Sequence, residues 1–170
     1  MEQRSRLAFR AVNRREIAGY DPGLQRHHLL PFQLVAAACF RPFLGAVGLA
    51  RIGFDDFRRN GLLLPAEESA ARLLGLPLHR GPHARYNQMV LERVGMIEAR
   101  WSRQRLSAAE AAIDEALFRL GLLQSALRRS LLSPAGRTVV LNRRDPAVIA
   151  PAFDDLDAMA ELLWNDTDAV

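Results

Sequence analysis

The four histidines of this chain lie close together in the sequence, and their spacing suggests metal chemistry. His27 and His28 are adjacent, His79 and His83 are four residues apart, and no other histidine occurs in the 170 residues. Imidazole is the commonest protein ligand for zinc and similar ions, and near neutral pH it can also accept a proton. Each residue alone could equally be a hydrogen-bonded core or surface histidine, so the argument depends on the four together.

The elements predicted around the histidines set how they could cooperate. The doublet falls in a short extended segment, residues 24–30, which follows the Asp-Pro-Gly turn at 21–23. Neighbouring side chains on a strand point to opposite faces, so one histidine can bind a metal while the other faces a substrate. His79 and His83 flank Gly81-Pro82, and proline fits the first turn of a helix. We therefore expect both at the N-terminus of a long helix that ends near residue 100 or 103.

The rest of the chain is predicted to be mostly helical, with few strands. The expected helices are a short amphipathic one within residues 1–20, two within 32–53 separated at Arg41-Pro42, one at 67–74 stopped by Gly75, one from a capping box at Ser107–Glu110 to about Leu132, and an acidic one at 153–164. The expected strands are 62–64, after a hairpin turn or bulge at Asn60-Gly61, and 138–141. Cys39 lies in an apolar run and is expected to be a buried thiol.

Three segments around these residues resemble the AHH family of nucleases, in the HNH/endonuclease VII (His-Me finger) superfamily. They are residues 23–31 around the doublet, residues 60–65, and residues 78–87 around the second histidine pair. They occur in the family's order, and the resemblance covers residues 23–94, under half of the chain. Arg26 stands where the family has the alanine that gives it its name.

The resemblance implies an α+β fold, mostly helical, in which a ββα-metal core with additional C-terminal helices surrounds one divalent ion (Mg²⁺, Mn²⁺ or Zn²⁺). It implies that His27, His79 and His83 are the metal ligands and that His28 is the general base that activates water. Asn60 would hold this base by a hydrogen bond. Arg26, Arg80 and Arg85 flank the motifs and could hold phosphates, although each is equally compatible with a solvated surface position.

The predicted domain organisation follows from these segments. Residues 1–22 form an N-terminal helical segment, residues 23–103 the nuclease core, and residues 104–170 a helical extension that packs on the core. Residues 151–170 form an acidic tail with six acids and no arginine. An amphipathic helix that packs inward is the expected structure for this tail, and an autoinhibitory mimic of nucleic acid is the alternative.

Composition supports a folded protein with a polyanionic partner. The chain is 49% hydrophobic, which excludes an intrinsically disordered protein. All 23 basic residues are arginines, and residues 1–150 hold every one of them against 13 acids, a net charge of +10. A solvated arginine-rich surface would give the same count. One cysteine excludes an internal disulfide and a multi-cysteine zinc site.

No signal peptide and no apolar run of about 18 residues occurs, so we expect a cytoplasmic protein without a membrane partner. Delivery elsewhere by a route that needs no signal peptide stays open.

The leading functional hypothesis is a metal-dependent endonuclease that hydrolyses DNA, with RNA as a second choice. A bacterial toxin or effector role is common among the proteins that this chain resembles, and in that role we would expect a cognate immunity protein as partner. The alternative is a metal-stabilised module that binds nucleic acid or protein without catalysis. His28 separates the two hypotheses, because a purely structural metal site has no need of it.

Overall fold

A computed structural model describes residues 6–133, 141–142 and 144–146 of the chain. Its strands and helices, in chain order, are β1 (Leu24–His28), α1 (Gln33–Ala36), α2 (Arg41–Val47), α3 (Leu49–Ile52), α4 (Phe57–Asn60), β2 (Gly61–Pro65), α5 (Glu68–Leu74), α6 (Ala84–Gln104) and α7 (Ala109–Leu132). Two single 3₁₀ turns, Phe9–Ala11 and Ala38–Phe40, complete them. The prediction of a mixed, mostly helical α+β fold is confirmed.

The two strands form a small antiparallel sheet that carries the histidine doublet. Leu24 pairs with Pro65 at one end, and His28 pairs with Gly61 at the other. A side chain at Gly61 would meet the ring of Phe57, because a Cβ there would lie 2.2 Å from that ring. The glycine therefore lets the aromatic side chain pack directly beneath the end of the strand pair.

Helices α6 and α7 pack against each other and against the α2–α3 region, and they close the core. The fully buried side chains include Leu29 directly after β1, Phe43 of α2, Leu64 of β2, Val90 of α6 and Leu120 of α7. Arg100 of α6 and Glu115 of α7 are joined at 2.7 Å near the connection between the two helices. The N-terminus of α6, which carries His83 as its cap residue, therefore lies at the end remote from that connection.

Several predicted helix boundaries are confirmed. Helix α5 ends at Gly75, which has the left-handed φ of 64° that a C-terminal glycine supplies. Helix α6 ends at Gln104, close to the expected position, and α7 ends at Leu132 as expected.

The N-terminal helix is a wrong prediction for the described residues, which contain only the 3₁₀ turn Phe9–Ala11 before β1. The chain turns at Asn13, whose φ is 47°, and the Asn13 side chain bonds to the segment that enters β1. This local interaction competes with helix continuation.

The expected break at Arg41-Pro42 is also wrong. These residues open α2, where the missing N–H of proline removes no helical hydrogen bond. The helical segments of this region are separated instead at Ala37 and at Gly48, which has a φ of 85°.

Asn60-Gly61 is not a hairpin turn or a bulge: Asn60 ends α4, and Gly61 begins β2. The capping box at Ser107 is wrong as well, because its hydroxyl donates to the Gln104 carbonyl at 3.2 Å and so closes α6. The cap residue of α7, Ala108, directly precedes the helix and makes no side-chain capping bond. Cys39 is exposed rather than buried.

Three predicted features lie wholly or mostly outside the described residues. They are residues 138–140 of the predicted strand 138–141, the predicted helix at 153–164 and the acidic tail. Within the described part of the chain, no helix is long and apolar enough to cross a membrane. The division into segments 1–22, 23–103 and 104–170 stays a prediction.

Candidate active site

Strand β1 places the two adjacent histidines on opposite faces of the sheet. His27 is only 3% exposed and faces His79 and His83, with ring centroids 4.9 and 5.7 Å away. His28 is half-buried and stacks in parallel on the ring of Phe9, at 3.7 Å. The alternation of a strand therefore divides the doublet between two environments, as the sequence predicts.

Three of the four histidines converge into one cluster. One ring nitrogen from each of His27, His79 and His83 can be chosen so that all three lie within 4.8 Å of one another. The expectation that both later histidines lie within the helix start is corrected: His83 immediately precedes Ala84, and His79 lies in the irregular segment before it. The backbone N–H of His79 donates to the Pro65 carbonyl at 2.7 Å, so the end of β2 positions this segment.

Burial keeps two imidazoles of this cluster, those of His27 and His79, neutral. Desolvation, assisted by the neighbouring histidines, lowers the pKa of His27 to about 2 and the pKa of His79 to about 4. At pH 7 both rings therefore offer a lone pair, which is the form in which histidine binds a metal.

The hydrogen bonds of the cluster leave the Nε2 atoms of His79 and His83 available for a metal. The Nδ1 of His79 lies 3.3 Å from the Gln25 side-chain oxygen, and the Nδ1 of His83 lies 3.0 Å from the Leu141 carbonyl. Oxygen acceptors at these nitrogens require Nδ1 to carry the proton, so each Nε2 presents a lone pair to the cluster.

His27 provides the strongest indication that the histidine cluster binds a ligand. Its Nε2 is buried and has no hydrogen-bond partner among the described residues. Leaving a buried polar atom unsatisfied costs about 1–3 kcal/mol. A divalent ion bound by three neutral imidazoles would satisfy this atom, so the residues fit the divalent ion that the sequence predicts.

His28 has the environment of a proton acceptor. Desolvation lowers its pKa, the nearby Arg26 lowers it further, and Asp55 opposes the shift. The ring is therefore neutral at pH 7, and its contact with Phe9 fixes the plane in which it lies.

Asn60 positions the doublet through the backbone. Its side chain is fully buried, accepts from the Leu30 N–H at 2.8 Å, and donates to the carbonyls of Leu30 and Phe54. Its own backbone carbonyl accepts from the Leu29 N–H at 2.8 Å. The expected direct bond to the base is corrected: among the hydrogen bonds that the structure describes for Asn60, those nearest the base reach Leu29 and Leu30, the two residues that follow His28, and none reaches His28 itself.

Tyr86, in helix α6, contacts the residue that follows the histidine doublet. Its buried hydroxyl donates to the Leu29 carbonyl at 2.7 Å, and its ring lies 5.0 Å from that of His27. Burial raises the pKa of this phenol, so it stays a donor. Tyr86 and Asn60 thus hold the C=O and the N–H of the residue directly after the doublet.

The three arginines predicted to hold phosphates are all exposed. Arg26 lies on the His28 face of β1 and donates to the Phe9 carbonyl at 2.9 Å. Arg80 lies between the two later ligands, and Arg85 lies in the first turn of α6. The structure therefore places one of them on the His28 face and two in the segment that carries His79 and His83.

Two further contacts at the cluster were missed. Gln25 could have been found by alternation, because it lies two residues before His27 and on the same strand face. The contact of His83 with Leu141 has no local signal, because 58 residues separate the pair.

Comparison with known proteins gives the class to which this arrangement belongs. Residues 9–126 match the model of a nuclease family of the HNH/ENDO VII superfamily with conserved AHH. The match spans the doublet, Asn60, both later histidines and most of α7.

The chain belongs to the AHH family. It is therefore a nuclease by family, and its substrate class is nucleic acid. Neither a curated protein nor a solved structure matches it.

Proposed function

We propose that this protein is a metal-dependent endonuclease that hydrolyses phosphodiester bonds of DNA, on a ββα-metal core made of β1, β2 and α6. The observation that carries the proposal is the unsatisfied Nε2 of His27, which lies within reach of two further imidazoles. The next residue along the strand, His28, presents a neutral imidazole, and it lies close enough to the cluster to help lower the pKa of His27 and of His79.

The metal site is assigned to His27, His79 and His83. When bound there, a divalent ion (Mg²⁺, Mn²⁺ or Zn²⁺) supplies a Lewis acid for the phosphoryl and leaving oxygens. The protein's contribution is a set of three imidazole ligands, two of which, His79 and His83, are oriented by hydrogen bonds at Nδ1.

His28 is assigned the proton transfer. Its imidazole takes a proton from the attacking water, whose oxygen forms the new bond to phosphorus while the bond to the leaving oxygen breaks. The leaving oxygen takes up a proton from solvent, and the imidazolium returns its own proton to solvent, because the side chain is only half-buried. Stacking on Phe9 keeps the ring in one orientation during these steps.

Asn60 and Tyr86 are assigned a positioning role. Together they bind the N–H and C=O of Leu29 and the backbone of Leu30, directly after the doublet. A pre-oriented general base needs such support, because small displacements of a reacting group lower the rate steeply. Arg26, Arg80 and Arg85 are assigned to substrate phosphates, for which guanidinium offers paired donors.

A non-catalytic metal-stabilised module is the alternative function. This alternative accounts for the three clustered imidazoles. It does not explain why a fourth imidazole, that of His28, lies beside them in a plane fixed by Phe9. The toxin role, the immunity protein and the cytoplasmic location stay predictions of the sequence.

Covalently closed DNA circles and an RNA transcript of the same sequence test the substrate assignment. We expect the protein to open the circles in the presence of at least one of the three candidate ions, because an endonuclease needs no free end. The RNA should be cut more slowly under the same conditions. Cutting confined to RNA, or to linear DNA from its ends, would contradict the proposal.

A further inference from the structure

We propose that a concave surface formed by Arg10, Arg14, Arg15 and Arg26 binds the phosphodiester backbone of the DNA strand beside the scissile bond. We call it the arginine concavity. The inference depends on the proposed function, and it adds Arg10, Arg14 and Arg15 to Arg26, the one member of the concavity already predicted to hold a phosphate.

The arginine concavity is open and strongly basic. It encloses about 750 Å³, and Asn13, Glu16 and Tyr20 complete its lining. Four arginines and one glutamate give it a net charge of +3. Clefts lined by one sign of charge concentrate ligands of the opposite sign.

Two of its guanidinium groups are available for a ligand. Arg14 pairs with Glu16 at 3.2 Å, and Arg26 donates to a backbone carbonyl. Arg10 and Arg15 are exposed and have neither a hydrogen-bond nor an ion-pair partner among the residues that the structure describes.

The arginine concavity is held in shape by Asn13. This residue has the left-handed φ of 47°, and its amide donates to the carbonyls of Asp21 and Leu24, both at 2.8 Å. Its side-chain oxygen accepts from the Asp21 N–H, also at 2.8 Å. These bonds tie the loop of residues 13–24 to the start of β1, so binding requires little ordering of the backbone.

The arginine concavity is continuous with the face that carries the general base. Arg26 and His28 lie on the same face of β1, two residues or about 7 Å apart along the strand. Phe9 links them, since its ring stacks on His28 while its carbonyl accepts from Arg26. A strand that passes His28 therefore reaches Arg26 and then Arg10.

The test measures DNA binding in a His28→Ala background, so that the probe is not cut. The affinity for a short fluorescein-labelled duplex is followed by anisotropy over a range of salt concentrations. The double variant Arg10→Ala/Arg15→Ala is expected to reduce the slope of log K against log salt by about 2, since each phosphate contact contributes about 0.9.

The matched control is Arg93→Ala/Arg103→Ala, which removes the same charge from α6, ten or more residues beyond His83. It should leave the slope unchanged. Equal slopes in the two double variants, whether reduced or not, would overturn the proposal. Failure of the wild-type protein to cut any circle would count against the proposed function, whereas normal cutting with an unaffected salt slope would count only against this inference.

A second, independent inference concerns Leu141, Asn142 and Asp145. They lie beyond the family match, which ends at residue 126. We infer that Asp145 is a positioning residue of the histidine cluster.

The contacts join this segment to the one that carries two candidate metal ligands. The Asp145 carboxylate, 4% exposed, accepts from the backbone N–H of Leu78 at 2.9 Å. The Asn142 side chain donates to the Arg80 carbonyl, and the Leu141 carbonyl accepts from His83. Three bonds thus hold residues 78–83, which have no regular structure of their own.

Metal affinity tests this inference without reference to cutting. Removal of a group that orients metal ligands lowers metal affinity about 10–100-fold, so Asp145→Ala should weaken Co²⁺ binding by that factor, measured by chelator competition. Asp145→Asn keeps an oxygen acceptor and should recover most of the loss. Asn142→Ala, a half-buried side chain, should lower the affinity about tenfold, and it provides the test if Asp145→Ala does not fold.

Leu131→Ala is the control for general destabilisation, because Leu131 is buried in α7. It should lower the unfolding temperature and leave the Co²⁺ affinity unchanged. Wild-type affinity in Asp145→Ala, or an equal loss in Leu131→Ala, would overturn the inference.

Discussion

His28→Ala is expected to lower the rate of DNA nicking by about 10²- to 10⁴-fold, the usual contribution of a positioned general base. The variant should still bind its metal ion, because His28 points away from the three clustered imidazoles and contacts Phe9 instead. Single-turnover nicking of supercoiled DNA at saturating metal, with Co²⁺ affinity measured on the same preparations, checks both statements.

Arg103→Ala provides the reference variant for this experiment, because it changes an exposed side chain at the far end of α6. Its nicking rate should equal that of the wild-type protein. If His28→Ala cut DNA at a similar rate to Arg103→Ala, the assignment of the base would be wrong.

His27→Leu is expected to change the free energy of unfolding in a way that depends on metal. Without metal, the variant should be at least as stable as the wild-type protein, because the substitution removes a buried nitrogen that has no partner in the described structure. With the ion at one hundred times its dissociation constant, the wild-type protein should gain about 2.7 kcal/mol. The variant should gain nothing, since one of three ligands is gone.

Thermal unfolding with and without Zn²⁺ measures this difference. The wild-type midpoint should rise by about 5–10 °C for a chain of this size. His28→Leu is the matched control: the same substitution on the neighbouring residue should leave the metal-induced rise intact. An equal Zn²⁺-induced rise in His27→Leu and the wild-type protein would contradict the assignment of His27 as a ligand.

The site could be predicted from the sequence to the extent that strand geometry and helix position determine it. Alternation separated His27 from His28. His79 and His83 were expected at the N-terminus of a long helix, and that helix begins at Ala84, directly after His83. These are local rules that depend on neighbouring residues alone. The family match spans the same segments.

The contacts that orient the site could not be predicted, because they join distant parts of the chain. Asn60 was expected to bond to the base, whereas its amide bonds to the backbone beyond it. The helix pair also buries a glutamine, Gln124, against Asn60 at 3.3 Å. Nothing in the local sequence of α7 indicates this role.

The wrong helix predictions have a similar origin. Pro42 was expected to separate two helices, and it opens one instead, because the preceding 3₁₀ turn already ends at Phe40. Ser107 was expected to cap α7, and it closes α6, since the connection between the two helices is only four residues long. In both cases the residue is compatible with two neighbouring helix boundaries, and the contacts of the surrounding chain determine which one forms.

Nicking of closed circular DNA during a metal titration of the chelator-treated protein tests the central claim most directly. We predict no nicking in the metal-free protein, and activity that rises with metal until one ion is bound per chain, as expected for a single three-histidine site. Equal nicking by the metal-free and the metal-loaded protein would contradict the account, as would a failure of Mg²⁺, Mn²⁺ and Zn²⁺ alike to produce it.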